Sequence, residues 1–251
     1  MLKIAQITDL HLLPPGECLM GLDVVARFER VMAHAAKFQP DVYFFTGDFC
    51  AAMPEEREIF WLGNRLFELE VPYFVVPGNH DDRTMLRNAF ELPGDGDEPI
   101  LQRVTIKDRT FLLLDTRYAK VGDAQINWLR EQLKDLGSAN IIMHHPPLKV
   151  GKPFMDDNYS LDEAQKVLQV LQEHDAPVVV YCGHYHSSRT IIDGNVTVHI
   201  CPPTSFFIKP DAAVFEQDEL PPAYQQIVYV GTGKRTVTPF YLSESPSVPP
   251  Q

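Results

Sequence analysis

Basic residues are scarce in this sequence. Its 251 residues include 22 Lys and Arg against 34 Asp and Glu, which gives a formal net charge of −12. A protein that holds nucleic acid through its phosphates needs clustered Lys and Arg, so we expect no nucleic-acid partner. The acidic balance does not exclude a small anionic substrate, because bound metal ions can supply the local positive charge.

Cysteines are also few, and long apolar runs are lacking. The four cysteines are Cys18, Cys50, Cys182 and Cys201, and no two of them form a Cys-x-x-Cys pair. This spacing is not typical of a disulfide framework and favours free thiols in a reducing compartment. No apolar run approaches the roughly 20 residues that a membrane span needs, and the amino-terminal segment is too polar for a secretory signal. We therefore expect a cytoplasmic protein that does not associate with membranes.

The apolar residues that are present are sufficient for a folded core. The chain is 45% hydrophobic and 22% charged, which excludes a disordered, collagen-like or coiled-coil protein. Short apolar runs alternate with helical patterns, as is typical of βαβ units. The predicted buried strands are 2–8, 42–46, 73–76, 141–143 and 178–182. The predicted helices are 22–38, 55–69, 123–136 and 160–173, and a capping box between Ser160 and Glu163 is expected to open the last of them.

Three further pairs of apolar runs flank short polar turns and predict antiparallel hairpins. These pairs are 101–106 with 110–114, 189–192 with 196–200, and 225–230 with 235–241. Pro239 lacks the N–H that a central strand needs and places the last run at a sheet edge. We find no repeat or linker and predict one α/β domain over residues 1–251, with a frayed tail from residue 243. Its mixed sheets are expected to pack face to face with helices outside.

Polar residues follow five of the predicted strands. The clusters are Asp9-Leu10-His11, Gly47-Asp48, Gly78-Asn79-His80-Asp81, His144-His145-Pro146 and Gly183-His184-Tyr185-His186, and they contain six of the nine histidines. In open α/β sheets the loops beyond the carboxyl ends of strands converge on one crevice. The clusters therefore predict a metal site at that edge, although any one of them alone is explained as well by a surface turn.

The donor types and their number narrow the kind of metal site. Imidazole and carboxylate without thiolate favour Zn, Fe or Mn. Seven such donors exceed what one ion takes from protein while leaving room for substrate, whereas two ions that share one carboxylate use them all. Paired ions roughly 3.5–4 Å apart are typical of enzymes that displace oxygen at phosphorus.

The order of these blocks, DxH, GD, GNHD, HH and GHxH, resembles the calcineurin-like metallophosphoesterase family over about residues 1–205. This resemblance implies a four-layer αββα sandwich of two mixed β-sheets with a dinuclear centre at the strand ends. The run His144-His145-Pro146-Pro147 and the short chain are similar to the branch that contains class III cyclic-nucleotide phosphodiesterases and glycerophosphodiesterases.

The resemblance also implies a role for each polar residue. The implied ligands are Asp9, His11 and His186 for one ion, Asn79, His144 and His184 for the other, and Asp48 as the bridge between them. His144 is chosen over His145 because the family ligand stands two residues before the proline. His145 would then line the substrate pocket or act behind a ligand. His80 matches the family histidine that faces the scissile phosphate, and Asp81 is expected to orient His80 or a ligand imidazole.

These residues predict a dinuclear phosphoesterase that hydrolyses small phosphodiesters, with 3′,5′-cyclic nucleotides as candidates, through a metal-bridging hydroxide. The alternatives are a phosphomonoesterase and a non-catalytic binding scaffold of the same fold. Residues 149–159 either roof the pocket or form an ordinary connection, and neither Arg83 nor Arg117 is expected to contact phosphate. The sequence leaves the native metals, the substrate and homo-oligomer formation open.

Overall fold

The computed structural model describes residues 1–52, 54–231 and 233–243. Its strands are β1 (Leu2–Ile7), β2 (Val42–Thr46), β3 (Tyr73–Val76), β4 (Gln102–Ile106), β5 (Arg109–Leu113), β6 (Ala139–Ile142), β7 (Val178–Cys182), β8 (Arg189–Asp193), β9 (Val196–Ile200), β10 (Phe207–Ile208), β11 (Gln217–Asp218), β12 (Ala223–Val230) and β13 (Lys234–Tyr241). Its helices are α1 (Val24–Lys37), α2 (Glu56–Phe67), α3 (Arg83–Phe90), α4 (Asp123–Leu133), α5 (Pro153–Asn158) and α6 (Ala164–Gln172). The tail predicted to fray lies, after Ser243, outside the described residues.

Two large mixed sheets form the centre of the fold. One has the strand order β13-β12-β1-β2-β3 and the other β4-β5-β6-β7-β9-β8, while β10 and β11 form a small separate pair. Strands β1, β2 and β3 are parallel, as are β5, β6, β7 and β9. The three predicted hairpins are confirmed, and β13, which contains Pro239, is an edge strand of its sheet.

The two sheets pack face to face, and helices cover their outer faces. Ile4 and Phe44 of the first sheet share a buried cluster with Phe111 and Tyr181 of the second. Ala5, which follows Ile4 in β1, points to the other face, because successive strand residues alternate between the two faces of a sheet. That outer face is covered by α1, α2 and α3, and the outer face of the second sheet by α4 and α6. The predicted four-layer αββα sandwich is confirmed.

The helix expected to begin at Ser160 begins later in the structure. The predicted capping box fails because Glu163 takes a left-handed conformation, with φ of 54°, and its side chain caps nothing. Residues 161–163 instead run beside the loop before α4, where the Asp162 amide donates to the Ala119 carbonyl at 2.7 Å. The helix starts at Ala164 once that pairing ends. Two short helices, α3 and α5, are additions to the predicted set, and each lies directly beside the carboxyl ends of the strands.

The parallel strands of both sheets deliver their carboxyl ends to one side of the molecule. There, within each sheet, the loops after neighbouring strands are joined by main-chain bonds. The Asp9 amide after β1 donates to the Gly47 carbonyl after β2, and the Gly183 amide after β7 donates to the His144 carbonyl after β6. All five predicted polar clusters therefore lie on the same edge of the sandwich.

Candidate metal centre

Each loop at this edge turns sharply as soon as its strand ends. Gly47 has φ of 91°, and a Cβ at this position would lie 2.6 Å from both the Gly78 amide and the His144 ring, so only glycine fits. Gly183 has an ordinary φ, but a Cβ there would lie 2.0 Å from the Thr8 hydroxyl. Its role is close packing of two loops. The glycines thus bring the strand ends of the two sheets into direct contact.

Four of the expected ligands form the first group of donor atoms. Asp9, His11, Asp48 and His186 each present one oxygen or nitrogen, and these atoms all lie within 4.8 Å of one another. His186 Nε2 is 3.1 Å from His11 Nε2 and 3.5 Å from Asp9 Oδ1. All four side chains are buried.

A second group of donor atoms shares Asp48 with the first. It consists of Asp48, His144 and His184, whose donor atoms also lie within 4.8 Å of one another. His144 Nε2 is 3.2 Å from Asp48 Oδ2 and 3.2 Å from His184 Nδ1. Asn79, the remaining expected ligand, has an exposed side chain that lines the cavity above this group.

The ring nitrogens that face away from the two groups fix the histidine tautomers. His144 Nδ1 lies 2.7 Å from the Thr46 carbonyl, His184 Nε2 lies 2.8 Å from the Tyr159 carbonyl, and His186 Nδ1 lies 2.6 Å from the Phe206 carbonyl. A carbonyl only accepts, so each of these nitrogens carries the proton and donates. When the ring is neutral, the nitrogen that faces the group then presents a lone pair. Histidines that bind metals typically donate their other ring N–H in this way.

The spacing of the facing lone pairs fits metal ions. Two ligand atoms about 2.1 Å from one ion, at angles of 90–110°, lie about 3.0–3.4 Å apart. The nitrogen and oxygen separations in the two groups are 3.1–3.6 Å. Without a cation these lone pairs repel one another. The residues present therefore fit two metal ions that share Asp48.

Burial and the charge of Asp48 govern the electrostatics of the centre. Burial, with a contribution from the negative charge of Asp48, raises the pKa of Asp9 to about 7. Burial lowers the pKa of His11 to about 4 and that of His184 to about 3, which keeps both rings neutral. Burial also acts to lower the pKa of His144, but the charge and hydrogen bond of Asp48 raise it to about 9. The His144 ring thus holds a proton beside Asp48, whereas His11 and His184 stay neutral. Neutral imidazoles and closely spaced carboxylates are donors that cations would stabilise in place of that proton.

Asp81 has different partners from those expected. Its buried carboxylate accepts main-chain N–H bonds from Asp48 at 2.9 Å, Phe49 at 2.8 Å and Gly78 at 2.7 Å. Both oxygens are occupied in this way, so the expectation that Asp81 orients His80 or a ligand imidazole is corrected. The carboxylate is a brace between the loops after β2 and β3, because one side chain satisfies three amides from both.

His80 and His145 lie in different surroundings. His80 is half-buried and lines the cavity, its ring centre is 4.9 Å from that of His11, and its main-chain N–H donates to Asp48 Oδ1. His145 is 1% exposed, and it is not one of the described residues that line the cavity. Its Nδ1 lies 2.9 Å from the Thr116 hydroxyl, and its ring centre is 4.0 Å from that of His184. Of the two roles considered for His145, contact with a ligand from behind is the one that this position allows.

A cavity of about 410 Å³ opens above the two groups. Its floor carries His11, Asp48, His80, His184 and His186, and one of its sides is apolar. Residues 149–159 roof it in part, because Phe154, Met155 and Tyr159 of that segment line the cavity.

Both arginines considered for phosphate contact are used elsewhere. Arg83 pairs with the buried Asp115 through two hydrogen bonds of 2.8 and 3.0 Å. Arg117 donates to the Asp81 carbonyl and lies 3.8 Å from the Asp82 carboxylate.

Sequence reasoning missed Phe206 and Phe215, which also line the cavity. Phe206 follows β9, another parallel strand whose carboxyl end lies at this edge. That position was the signal that could have identified it.

Comparison with known proteins agrees with this geometry. Residues 2–188 match the family model for calcineurin-like phosphoesterase. The chain is 27% identical over 249 residues to a "probable cyclic nucleotide phosphodiesterase" of Fibrobacter succinogenes, covering 98% of this chain and 96% of the relative. It is 28% identical over 221 residues to a glycerophosphodiester phosphodiesterase of Enterobacter lignolyticus, covering 79% and 78%.

Solved structures agree in fold. The structure of a dimetal phosphatase from Danio rerio superposes with a TM-score of 0.69 at 14% identity, covering 95% of each chain.

Among the helices of the described residues, none has the length and apolar character that a membrane span requires. The family model covers most of the sequence, including all five polar clusters, and the chain therefore belongs to the calcineurin-like phosphoesterase family.

Proposed function

We propose that this protein is a dinuclear metal-dependent phosphodiesterase that hydrolyses small phosphodiesters, 3′,5′-cyclic nucleotides among them. The observation that carries the proposal is the pair of donor groups that share Asp48 at the floor of one cavity. Relatives named for cyclic-nucleotide and glycerophosphodiester hydrolysis support the same reaction class. The four free cysteines support a cytoplasmic location.

We assign the ligands by group. Asp9, His11 and His186 would hold one ion, Asn79, His144 and His184 the other, and Asp48 both. Iron, manganese and zinc all suit imidazole and carboxylate donors without thiolate. Bound there, two such cations would offset the negative charge of a phosphodiester and lower the pKa of water in the site.

The protein's own residues have three tasks in this scheme. Three of the four histidines can present lone pairs to metal ions, because their outer nitrogens donate to the carbonyls described above. Asp81 fixes the loops that carry Asp48 and Asn79. His80, on the cavity floor, is positioned to give a proton to the leaving oxygen or to hold the equatorial oxygens of the phosphoryl group.

The cavity favours diesters over monoesters. Among the described residues that line it, none is Lys or Arg, and Asp48 is the acidic one. A monoester dianion brings a second negative charge that such a lining does not pair. A dianion also gains its attraction to cations already in the ground state, and this part of the binding does not raise turnover.

The test compares mono- and diesters that have the same leaving group. Protein stripped with chelator and reloaded with Mn²⁺, Zn²⁺ or Fe²⁺ should hold two ions per chain. It should cleave methyl p-nitrophenyl phosphate with a higher kcat/KM than p-nitrophenyl phosphate at one pH, and it should open 3′,5′-cyclic adenosine monophosphate. A monoester advantage of about tenfold, roughly 1.4 kcal/mol in the barrier, would contradict the diesterase assignment. Two bound ions with no hydrolysis of any ester would indicate a binding scaffold.

A further inference from the structure

The apolar side of the cavity is formed largely by aromatic rings. We call Phe154, Tyr159, Phe206 and Phe215 the aromatic wall. The ring centre of Phe154 lies 5.4 Å from that of Tyr159 and 6.0 Å from that of Phe215. The ring centres of Phe206 and Phe215 are 6.1 Å apart. Phe206 in turn lies 4.1 Å from His186 on the cavity floor. The wall therefore extends without a break from the proposed metal centre to the mouth of the cavity.

The mouth of the cavity leaves large apolar side chains in contact with water. Tyr159 is 49% exposed, Phe215 44% and Met20, across the cavity, 41%. These three exposed hydrophobic side chains line the same opening. Clustered apolar surface beside a polar floor is typical of a ligand-binding site.

The wall is held in place by buried polar contacts. The Asp156 carboxylate of α5 accepts the main-chain N–H groups of Val150 at 2.9 Å and Lys152 at 2.8 Å. The buried Lys152 ammonium donates to the Ile208 carbonyl at 2.7 Å and to the Tyr185 carbonyl at 3.2 Å. These bonds tie α5 to the strand after Phe206 and to the loop between His184 and His186. A wall fixed in this way binds a ring without first having to be ordered.

We infer that the aromatic wall selects phosphodiesters whose organic group is an uncharged planar ring of nucleobase or aryl type. This inference rests on the proposed function. Aromatic faces stack on any planar ring, whatever its identity or substituents, at roughly 4.5–7 Å between ring centres. They contribute little binding energy to a polyol such as glycerol, which has no ring face. The described lining, which contains neither Lys nor Arg, gives nothing to a ring that carries a carboxylate. A volume of about 410 Å³ is large enough for a phosphate and one such ring.

The test uses pairs of compounds that differ only in the presence of the ring or in a charge on it. Calorimetry on the metal-loaded protein should show adenosine 5′-monophosphate binding about tenfold more tightly than ribose 5-phosphate, and phenyl phosphate more tightly than methyl phosphate. The first pair reports on nucleobases and the second on aryl groups. Uridine 5′-monophosphate should bind more tightly than orotidine 5′-monophosphate, which adds only a carboxylate to the ring. In turnover, 3′,5′-cyclic adenosine monophosphate should exceed the methyl riboside 3,5-cyclic phosphate, which has the same scissile ring and no base.

Phe215→Ala should reduce the ratios of the pairs that differ by a whole ring about three- to tenfold, as expected for the loss of one stacking partner. Phe154→Leu is a second variant that keeps apolar volume and removes the ring. Phe67→Ala is the matched control, because Phe67 is 85% exposed on α2, away from the cavity, and should change none of the ratios.

Equal binding with and without the ring, or ratios that Phe215→Ala and Phe154→Leu leave unchanged, would overturn the inference even if diesters are hydrolysed. Absence of hydrolysis with the binding ratios intact would overturn the proposed function and leave the wall as a ring-binding surface.

Discussion

The structure predicts a specific cost for replacing Asp81 by asparagine. The carboxylate is fully buried, with Oδ2 accepting the Asp48 and Gly78 amides and Oδ1 the Phe49 amide. An asparagine oxygen can keep the first two bonds, but its NH2 group then faces the Phe49 N–H, so that one bond is lost and two donors oppose each other. Hydrogen bonds to a charged group contribute about 1.5–3 kcal/mol each. We expect Asp81→Asn to lower the free energy of unfolding by about 2–4 kcal/mol.

The same substitution should weaken metal binding, although Asp81 belongs to neither donor group. Asp81 accepts the main-chain N–H of Asp48, the residue shared by the two groups, and so fixes its position. Loss of a residue that orients a ligand typically lowers metal affinity about 10–100-fold. Urea unfolding of the chelator-treated protein gives the first quantity, and competition with a chromogenic chelator gives the second.

Asp82→Asn is the matched control for this experiment. Asp82 caps α3 by accepting the Met85 amide at 3.0 Å, and asparagine caps a helix as well as aspartate does. Its remaining contact, with Arg117 at 3.8 Å, is a partly exposed ion pair that contributes about 0–1 kcal/mol. If Asp81→Asn matched Asp82→Asn in both stability and metal affinity, the bracing role of Asp81 would be refuted.

Three further predictions concern the centre and its support. Asp48→Ala should leave well under two ions per chain on metal analysis, because Asp48 belongs to both groups; two retained ions with normal turnover would contradict the dinuclear proposal. His80→Ala should keep the ions but slow hydrolysis by about 10²–10⁴-fold for an alkoxide leaving group and by less for p-nitrophenolate, which leaves without a proton; equal losses would indicate that His80 holds phosphoryl oxygens, and no loss would exclude it from the reaction. Lys152→Met should lower the free energy of unfolding by about 2–5 kcal/mol, because two buried carbonyls lose their donor. Burial lowers the pKa of Lys152 to about 8, so above this pH the unfolded chain binds more protons than the folded one. The wild-type advantage over Lys152→Met, measured by urea unfolding, should therefore grow as the pH rises from 8 towards 10, and an advantage that shrinks over this range would contradict the assignment.

The location of the site was predictable because its signal is local. Asp48 follows the five-residue buried strand β2 with only Gly47 between them, and His184 follows β7 with only Gly183 between them. Parallel strands bring such positions to one edge whatever the details of packing, so the sequence alone was sufficient to group them. The two donor groups of the structure contain six of the seven expected ligands, and Asn79 lines the cavity beside them.

The parts that the sequence did not predict depend on contacts between distant segments. The start of α6 is set by pairing of Asp162 with the loop at Ala119, which overrides a good local capping signal. The partners of Asp81 are amides on another strand's loop, more than thirty positions away for Asp48 and Phe49. Phe215 is indistinguishable in sequence from a core phenylalanine, and only the tertiary structure places it at the mouth of the cavity.

The backbone at the proposed centre explains why it needs so much support. Five of the seven proposed ligands have a positive φ: Asp9 at 51°, His11 at 46°, Asp48 at 55°, His184 at 67° and His186 at 45°. Each such conformation costs about 1–2 kcal/mol for a residue with a side chain, so that five cost about 5–10 kcal/mol, similar to the whole stability of many domains.

Glycine would remove this strain, but it would also remove the ligand, because the side chain is the functional group. The strained turns must therefore be held by bonds from outside the donor set. The Asp81 carboxylate holds the turn at Asp48, and the His184 amide, which donates to the Asp9 carboxylate at 3.0 Å, couples two strained turns to each other. Precise donor geometry in this fold is thus a property of the hydrogen bonds behind the ligands as much as of the ligands themselves.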